Sequence, residues 1–345
     1  MFSCEGNNVY KIEGRLSNLE NTTLYIVYES LEGNVIDTVI CDEKGQFSII
    51  RERNEELQTV TFYYNERKHW FALFPEPGKT VQIKGDANYP LLVQVKGGRI
   101  NNKLSEFKKK AGPLLKEQAE LLFNTSLAKY ESASQLANIK LELRSVLQNF
   151  VTKNPKEEAS AILITEFFSD PEEIVQAEEL LNLLAPELDN YIIVKNLKAQ
   201  ISKAKTTIIG ANAPEFNATN IYGKSFTANS FKNKYYILAF TALWCDMCQT
   251  EVMMLDNIAT KYPKDSLEIL LISLDDEFDN ISKTIHRDSI NWNLITDSAG
   301  QAIKIFETFN VSSLPKCYLM DKEGKIILST ANGMELQQTV DEIME

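Results

Sequence analysis

The sequence predicts an α/β C-terminal domain with a mixed central sheet flanked by helices, preceded by an antiparallel β domain and a helical region. Three observations carry this. Short β-branched and aromatic runs parted by Gly, Asn and Asp fill the first hundred positions. Leucines at three- and four-residue steps fill the second hundred, and strand and helix patterns alternate from about Thr206 onward. The predicted segments are residues 1–8 as a tail, 9–100 as a sandwich- or barrel-like β domain, 101–205 as a helical region and 206–345 as the α/β domain. A chain of 345 residues accommodates two or three domains of roughly 150 residues each.

In the β region, Tyr10 to Gly14, Thr23 to Tyr28 and Val35 to Ile40 read as strands. Asp42-Glu43-Lys44-Gly45-Gln46-Phe47 reads as a hairpin turn. Val60 to Tyr64, Trp70 to Phe74 and Thr80 to Lys84 follow in the same style, with Pro75-Glu76-Pro77-Gly78 as a strong turn. From Asn101, Leu104, Phe107, Leu114, Leu115 and later Leu136, Ile139, Leu143, Leu147 and Phe150 keep helical spacing. Asp170-Pro171-Glu172-Glu173 places a cap, a first-turn proline and acids at a helix start, and Ala185-Pro186-Glu187 restarts a further helix. No catalytic constellation is visible up to residue 205. That stretch reads as a spacer or docking surface, with Cys41 and His69 as ordinary buried or surface residues.

In the α/β region, Tyr235 to Phe240 is a continuous apolar run of the kind buried on both faces of a sheet. Cys248 to Tyr262 reads as a helix, Leu267 to Leu274 as a buried strand, and Asp279 to Arg287 and Ala299 to Phe309 as helices. Lys316 to Met320 and Lys325 to Ser329 form a hairpin through Asp321-Lys322-Glu323-Gly324. Glu335 to Met344 closes the chain as a helix.

Composition narrows the chemistry. Hydrophobic residues at 44% and charged residues at 24% fit a globular chain. The balance of 36 basic against 48 acidic residues, a formal charge of −12, argues against a nucleic-acid partner or an anionic membrane surface. The two histidines, His69 and His286, fall in separate predicted domains, which removes a multi-histidine metal site. No stretch approaches the roughly 18 apolar residues of a membrane helix. The opening Met1-Phe2-Ser3-Cys4 resembles the end of a bacterial lipoprotein signal, which makes Cys4 a candidate for lipid attachment. The alternative is an ordinary tail with a chance cysteine.

Trp244-Cys245-Asp246-Met247-Cys248 sits between the buried strand and the following helix. A helix N-terminus offers unpaired N–H groups and about half a positive charge, which stabilise an anion. A cysteine placed there becomes a nucleophilic thiolate. Cys248, one turn on, is placed to attack a mixed disulfide formed at Cys245. Zinc sites also use CxxC, but Cys317 and His286 are the only further ligands in the domain, and neither stands in a paired spacing.

Residues from about Gly210 onward resemble the thioredoxin-like fold, specifically the TlpA/ResA-like group of thiol–disulfide oxidoreductases in the wider AhpC/TSA superfamily. The resemblance rests on Ala213-Pro214-Glu215-Phe216 with Tyr222-Gly223-Lys224, on Phe240 through Cys248, and on Val311-Ser312-Ser313-Leu314-Pro315 with Tyr318 to Asp321 and Gly324-Lys325. Residues Tyr10 to about Phe107 resemble, more loosely, a β domain of unknown function found ahead of such oxidoreductases. The resemblance implies Cys245 as the attacking and Cys248 as the resolving cysteine, and Pro315 as a cis-proline against their disulfide. It implies that the Leu314 backbone pairs with an extended client segment. Trp244 then shapes the client groove and Glu251 moves the proton of Cys248. A solvated helix acid remains the alternative for Glu251, and core filling for Trp244.

Some positions depart from the pattern. Ala239 replaces the buried acid of thioredoxin proper, Leu243 interrupts the small-residue loop, and Lys316 follows Pro315. Asp246 beside the nucleophile disfavours its thiolate, with Lys316 as an offset, which points to a reductase or isomerase rather than a disulfide donor. Cys317 reads as a buried, inert thiol. The implied partners are a protein disulfide as substrate and a membrane-bound or periplasmic thiol as electron donor; the implied place is the periplasm or cell envelope. No cofactor beyond the cysteine pair is expected. A peroxidase of the AhpC/TSA type needs a threonine where Ala242 stands. A surface lipoprotein binding a partner or glycan, with the C-terminal domain as scaffold, is the alternative from another class.

Overall fold

The computed structural model describes residues 9–30, 33–52, 57–76, 78–123, 129–168, 173–276 and 293–344. Cys4, His286, the Asp170-Pro171-Glu172 start of one expected helix and the helix expected from Asp279 lie outside the described residues. By contact the chain divides into two compact units, Met1–Phe167 with Glu179–Lys195, and Phe168–Glu178 with Asn196–Glu345.

The first unit is built on eight strands: β1 (Val9–Ser17), β2 (Thr23–Ser30), β3 (Gly33–Ile40), β4 (Gln46–Glu52), β5 (Leu57–Tyr64), β6 (His69–Leu73), β7 (Thr80–Asp86) and β8 (Gln94–Lys96). They form two four-stranded sheets, β4-β1-β7-β8 and β3-β2-β5-β6. In β1 every second residue from Tyr10 to Leu16 is buried, the period of a half-covered strand. The alternate residues of β2 and β5, Leu24, Ile26, Val60 and Phe62, join the same core. One pair departs from the expected antiparallel pattern: β1 and β7 run parallel, Lys11 opposite Thr80 through Ser17 opposite Asp86. Hairpins force antiparallel pairing only between strands close in sequence, and these two meet across some sixty residues of chain. The turn ahead of β4 needs its glycine. Gly45 has φ +68°, and a Cβ there would overlap the Leu16 carbonyl oxygen.

The helices are α1 (Arg99–Phe123), α2 (Lys129–Lys153), α3 (Glu158–Phe167), α4 (Ala177–Leu181) and α5 (Ile192–Ala204). Phe107 of α1 meets Phe150 of α2 and Phe167 of α3 edge-on, each at 5.5 Å between ring centroids. The restart expected at Ala185 amounts to a single 3-10 turn, Pro186–Leu188.

The second unit contains a hairpin of β9 (Asn217–Thr219) and β10 (Ser225–Thr227). Its central sheet contains β11 (Tyr235–Thr241), β12 (Leu267–Ser273), β13 (Asn293–Ile295), β14 (Lys316–Met320) and β15 (Ile326–Thr330), in the order β13-β12-β11-β14-β15. β11 runs parallel to β12 and antiparallel to β14, so the sheet is mixed. Helices α6 (Asp246–Lys261), α7 (Gln301–Thr308) and α8 (Gly333–Met344) complete the unit. One face packs Phe240, Tyr318, Phe306 and Phe309; the other packs Ala239, Cys317, Leu255, Leu336 and Val340. Every residue of β12 is buried, as a strand covered on both faces requires. At the end of the sheet remote from the cysteines, Glu268 accepts from Asn293, which accepts from Asn220, a buried polar chain with its hydrogen bonds made.

Candidate active site

The site lies where β11 ends. Thr241 is its last residue, and four residues later Cys245 is the N-cap of the 16-residue helix α6. The Cys245 amide donates to the Ala242 carbonyl at 3.1 Å, which folds the loop back into a tight turn. The Cys248 amide lies 3.2 Å from Cys245 Sγ and donates toward it. That N–H also donates to the Cys245 carbonyl at 3.0 Å in the first turn of α6, so the sulfur stands at the helix end that favours negative charge. Cys245 and Cys248 are joined by a disulfide with Cα atoms 5.3 Å apart.

Burial distinguishes the two sulfurs from their neighbours. Cys245 is 7% exposed and Cys248 2%, whereas Trp244 is 72% and Met247 66% exposed. Trp244 is therefore a surface feature beside the disulfide and not core filling. Asp246, the first residue of α6, is exposed to solvent.

The antiparallel register brings a second segment to this end of the sheet. Phe240 is opposite Lys316 and Ala239 opposite Cys317, so Leu314-Pro315 immediately precedes the strand paired with the one leading to the cysteines. The Leu314–Pro315 peptide is cis. Lys316 is buried, with Nζ 5.4 Å from the Tyr318 ring centroid. Cys317 is on the opposite face, and burial, followed by the charge of Glu251, pushes its thiol up to about 12 against the opposing effect of Lys316.

Glu251 lies three residues after Cys248 on α6 and is half-buried. Oε2 of Glu251 is shut off from solvent and makes no hydrogen bond among the described residues. Burial raises its carboxyl above the usual carboxylate range, opposed by the backbone of Gly333 at the start of α8. The solvated-acid alternative for Glu251 is therefore set aside. Sequence reasoning missed Gly333, whose lack of a side chain leaves room for this carboxyl. It also missed Asp275, just past β12, which accepts from the Leu243 amide at 2.9 Å. The first acid of the run Asp275-Asp276-Glu277, two residues past a fully buried strand, was the available signal for Asp275. Among the described residues no cluster of three or more His, Cys, Asp or Glu side chains is arranged to hold a metal ion, and no helix is long and apolar enough to cross a membrane.

Residues 209–329 match the model of the AhpC/TSA family, and residues 10–104 match a domain of unknown function, DUF4369. The C-terminal domain is TlpA/ResA-like. The thiol-disulfide oxidoreductase ResA of Bacillus cereus (strain ATCC 10987 / NRS 248) is 28% identical over 144 residues, 42% of this chain and 81% of that protein. ResA of Geobacillus thermodenitrificans is 26% identical over 174 residues, 49% of this chain and 95% of its own length. Among solved structures, the thioredoxin domain of a thiol-disulfide oxidoreductase from Bacteroides vulgatus is 25% identical, covering 40% of this chain and 99% of that one with a TM-score of 0.37. The TlpA/ResA-like domain thus spans the cysteine pair, the Leu314–Pro315 loop and the hairpin of β14 and β15.

Proposed function

We propose that this chain is a thiol–disulfide oxidoreductase that reduces or isomerises protein disulfides through Cys245 and Cys248. The observation that carries the reading is the disulfide at the N-cap of α6, with one sulfur facing the Cys248 amide and exposed apolar side chains around it. In the reduced enzyme the Cys245 thiolate attacks a client disulfide. One S–S bond breaks, a mixed disulfide forms, and the departing client sulfur takes a proton. Cys248 then gives up its proton and attacks Cys245 Sγ. The client leaves as a dithiol, reduced by two electrons, and the enzyme regains its internal disulfide. Glu251, whose carboxyl is held protonated more readily than usual, serves as the partner for the Cys248 proton. Leu314 offers backbone to an extended client strand, next to Pro315, with Trp244 as a wall of the groove.

No cofactor beyond the pair itself enters this scheme, and a thiol donor of the membrane or periplasm restores the dithiol. The similarity to ResA supports a place in the cell envelope. Lipidation at Cys4 would tether the chain there. A net charge of −12 speaks against nucleic acid as a partner. The peroxidase branch of the AhpC/TSA family is disfavoured by Ala242, which has no hydroxyl to organise a peroxide and is itself buried.

A binding role for the first unit is a second reading with its own observation. On the outer face of the sheet β3-β2-β5-β6, Tyr25 is opposite Tyr63 and Tyr63 opposite Trp70, an aromatic row across three strands. Exposed Ile36 and Ile40 extend the same face.

The test of the main reading is dithiothreitol-driven reduction of insulin. Wild-type protein is expected to accelerate it, Cys245→Ser to abolish the acceleration, and Cys248→Ser to hold a client as a stable mixed disulfide. Equal turnover by Cys245→Ser would remove the nucleophile and with it the reading.

A further inference from the structure

The loop that presents Cys245 is held from the neighbouring strand. The amide of Leu243, two residues ahead of Cys245, donates to Oδ2 of Asp275 at 2.9 Å. The same oxygen accepts from Ser273 Oγ at 2.6 Å, and the Asp275 amide donates to Ser273 Oγ at 3.3 Å. Ser273 is the buried last residue of β12. The backbone around Asp275 is also fixed. The Leu274 amide donates to the Thr241 carbonyl at 3.1 Å, and the Asp297 amide to the Asp275 carbonyl at 2.9 Å. The acceptor oxygen therefore belongs to the sheet, while its donor belongs to the loop of residues 242–244.

We propose that Asp275 is a positioning residue that clamps this loop and keeps Cys245 at the N-cap of α6 when the disulfide is open. In the oxidised chain the S–S bond itself ties Cys245 to α6. In the reduced chain that bond is gone, and the hydrogen bonds from Cys245 to Ala242 and from Leu243 to Asp275 remain to hold the sulfur over the Cys248 amide. The reduced chain is the attacking form, so the clamp acts where reactivity is set. The clamp works through an acceptor oxygen rather than through charge. An amide oxygen with two lone pairs accepts from both Leu243 and Ser273 as the carboxylate does.

The inference rests on the reading of Cys245 as nucleophile, and the test separates the two. Reduced protein carrying Cys248→Ser, which leaves one active-site thiol, is alkylated with iodoacetamide at pH 7, and the Cys245 peptide is followed by mass spectrometry. Adding Asp275→Ala is expected to slow alkylation by about tenfold, the scale of one lost hydrogen bond. Asp275→Asn is expected to stay within about threefold of the parent, since it restores the acceptor. Ser273→Ala, which frees the carboxylate to turn, is expected to fall between and gives the same information if Asp275→Ala does not fold. Parent-like alkylation in Asp275→Ala or Ser273→Ala, or an Asp275→Asn as slow as the alanine variant, overturns the clamp. Failure of the wild-type chain to reduce insulin, with the alkylation series as expected, removes the catalytic reading and leaves the clamp standing.

Discussion

The carboxyl of Glu251 occupies the space that a side chain on residue 333 would fill. A Cβ built on Gly333 would overlap Oε2 of Glu251 and stand 3.1 Å from Cβ of Met254. The start of α8 and the second turn of α6 are thus fitted to each other around a buried acid directly behind Cys248.

Gly333→Ala is expected to lower stability by about 1–3 kcal/mol, the usual range for forcing a methyl group into a filled site. Urea denaturation of the oxidised protein reads this. An unchanged midpoint would mean that the carboxyl moves aside freely.

Glu251 also gives a pH-dependent expectation with a definite sign. Its carboxyl is raised by burial above the usual value near 4.5, so the folded chain holds that proton more tightly than the unfolded one. Native stability is then lost as pH rises from the unfolded value through the folded one, and the loss persists at neutral pH. Glu251→Gln removes this penalty. The variant is expected to gain on the wild type at pH 7 and to lose most of that gain at pH 4, where the acid is mostly protonated in both states. A difference between the two proteins independent of pH would contradict this.

The remaining described thiols are expected to be silent. Burial pushes Cys41 up to about 11 and Cys317 up to about 12. Both stay protonated and shielded at pH 8, so peptide mapping after iodoacetamide treatment of the oxidised native protein finds neither labelled, and finds both labelled in urea. Rapid native labelling of Cys317 would show a path to the sheet interior.

In the first unit, Asn101 ties the strands to the first helix. Its amide nitrogen donates to the Phe74 carbonyl at 2.6 Å and to the Gly97 carbonyl at 2.7 Å, and its oxygen accepts from the Phe74 amide at 2.9 Å. The side chain is almost fully buried. Asn101→Ala leaves three backbone groups without partners and is expected to cost on the order of 3 kcal/mol. A thermal midpoint within a degree or two of wild type would show that water replaces the lost bonds.

How much of this was legible beforehand varied with distance along the chain. The alternation of Tyr10, Ile12 and Leu16 and the apolar run of β11 announced themselves, because a strand's side-chain period is local. The parallel pairing of β1 with β7 did not, because nothing in either strand names a partner so remote. β4 was hidden as well: Gln46-Phe47-Ser48-Ile49-Ile50 reads as the tail of a turn until its register against β1 is seen. Glu251 was visible as a candidate three residues past Cys248, but its environment was not. Burial and the neighbouring Gly333 come from the docking of α8.

From residue order alone came the Cys245–Cys248 pair as the candidate site, its spacing of one helical turn and its place where a strand hands over to a helix. These are short-range properties of the peptide backbone, and a few adjacent residues suffice to specify them. Folding in three dimensions decided what stands around the pair: the Asp275 oxygen beneath Leu243, the acid behind Cys248, and Leu314-Pro315 delivered by the register of β14 on β11. Those contacts join positions about thirty to eighty residues apart, and only the packing of the complete sheet and its helices sets which of them meet.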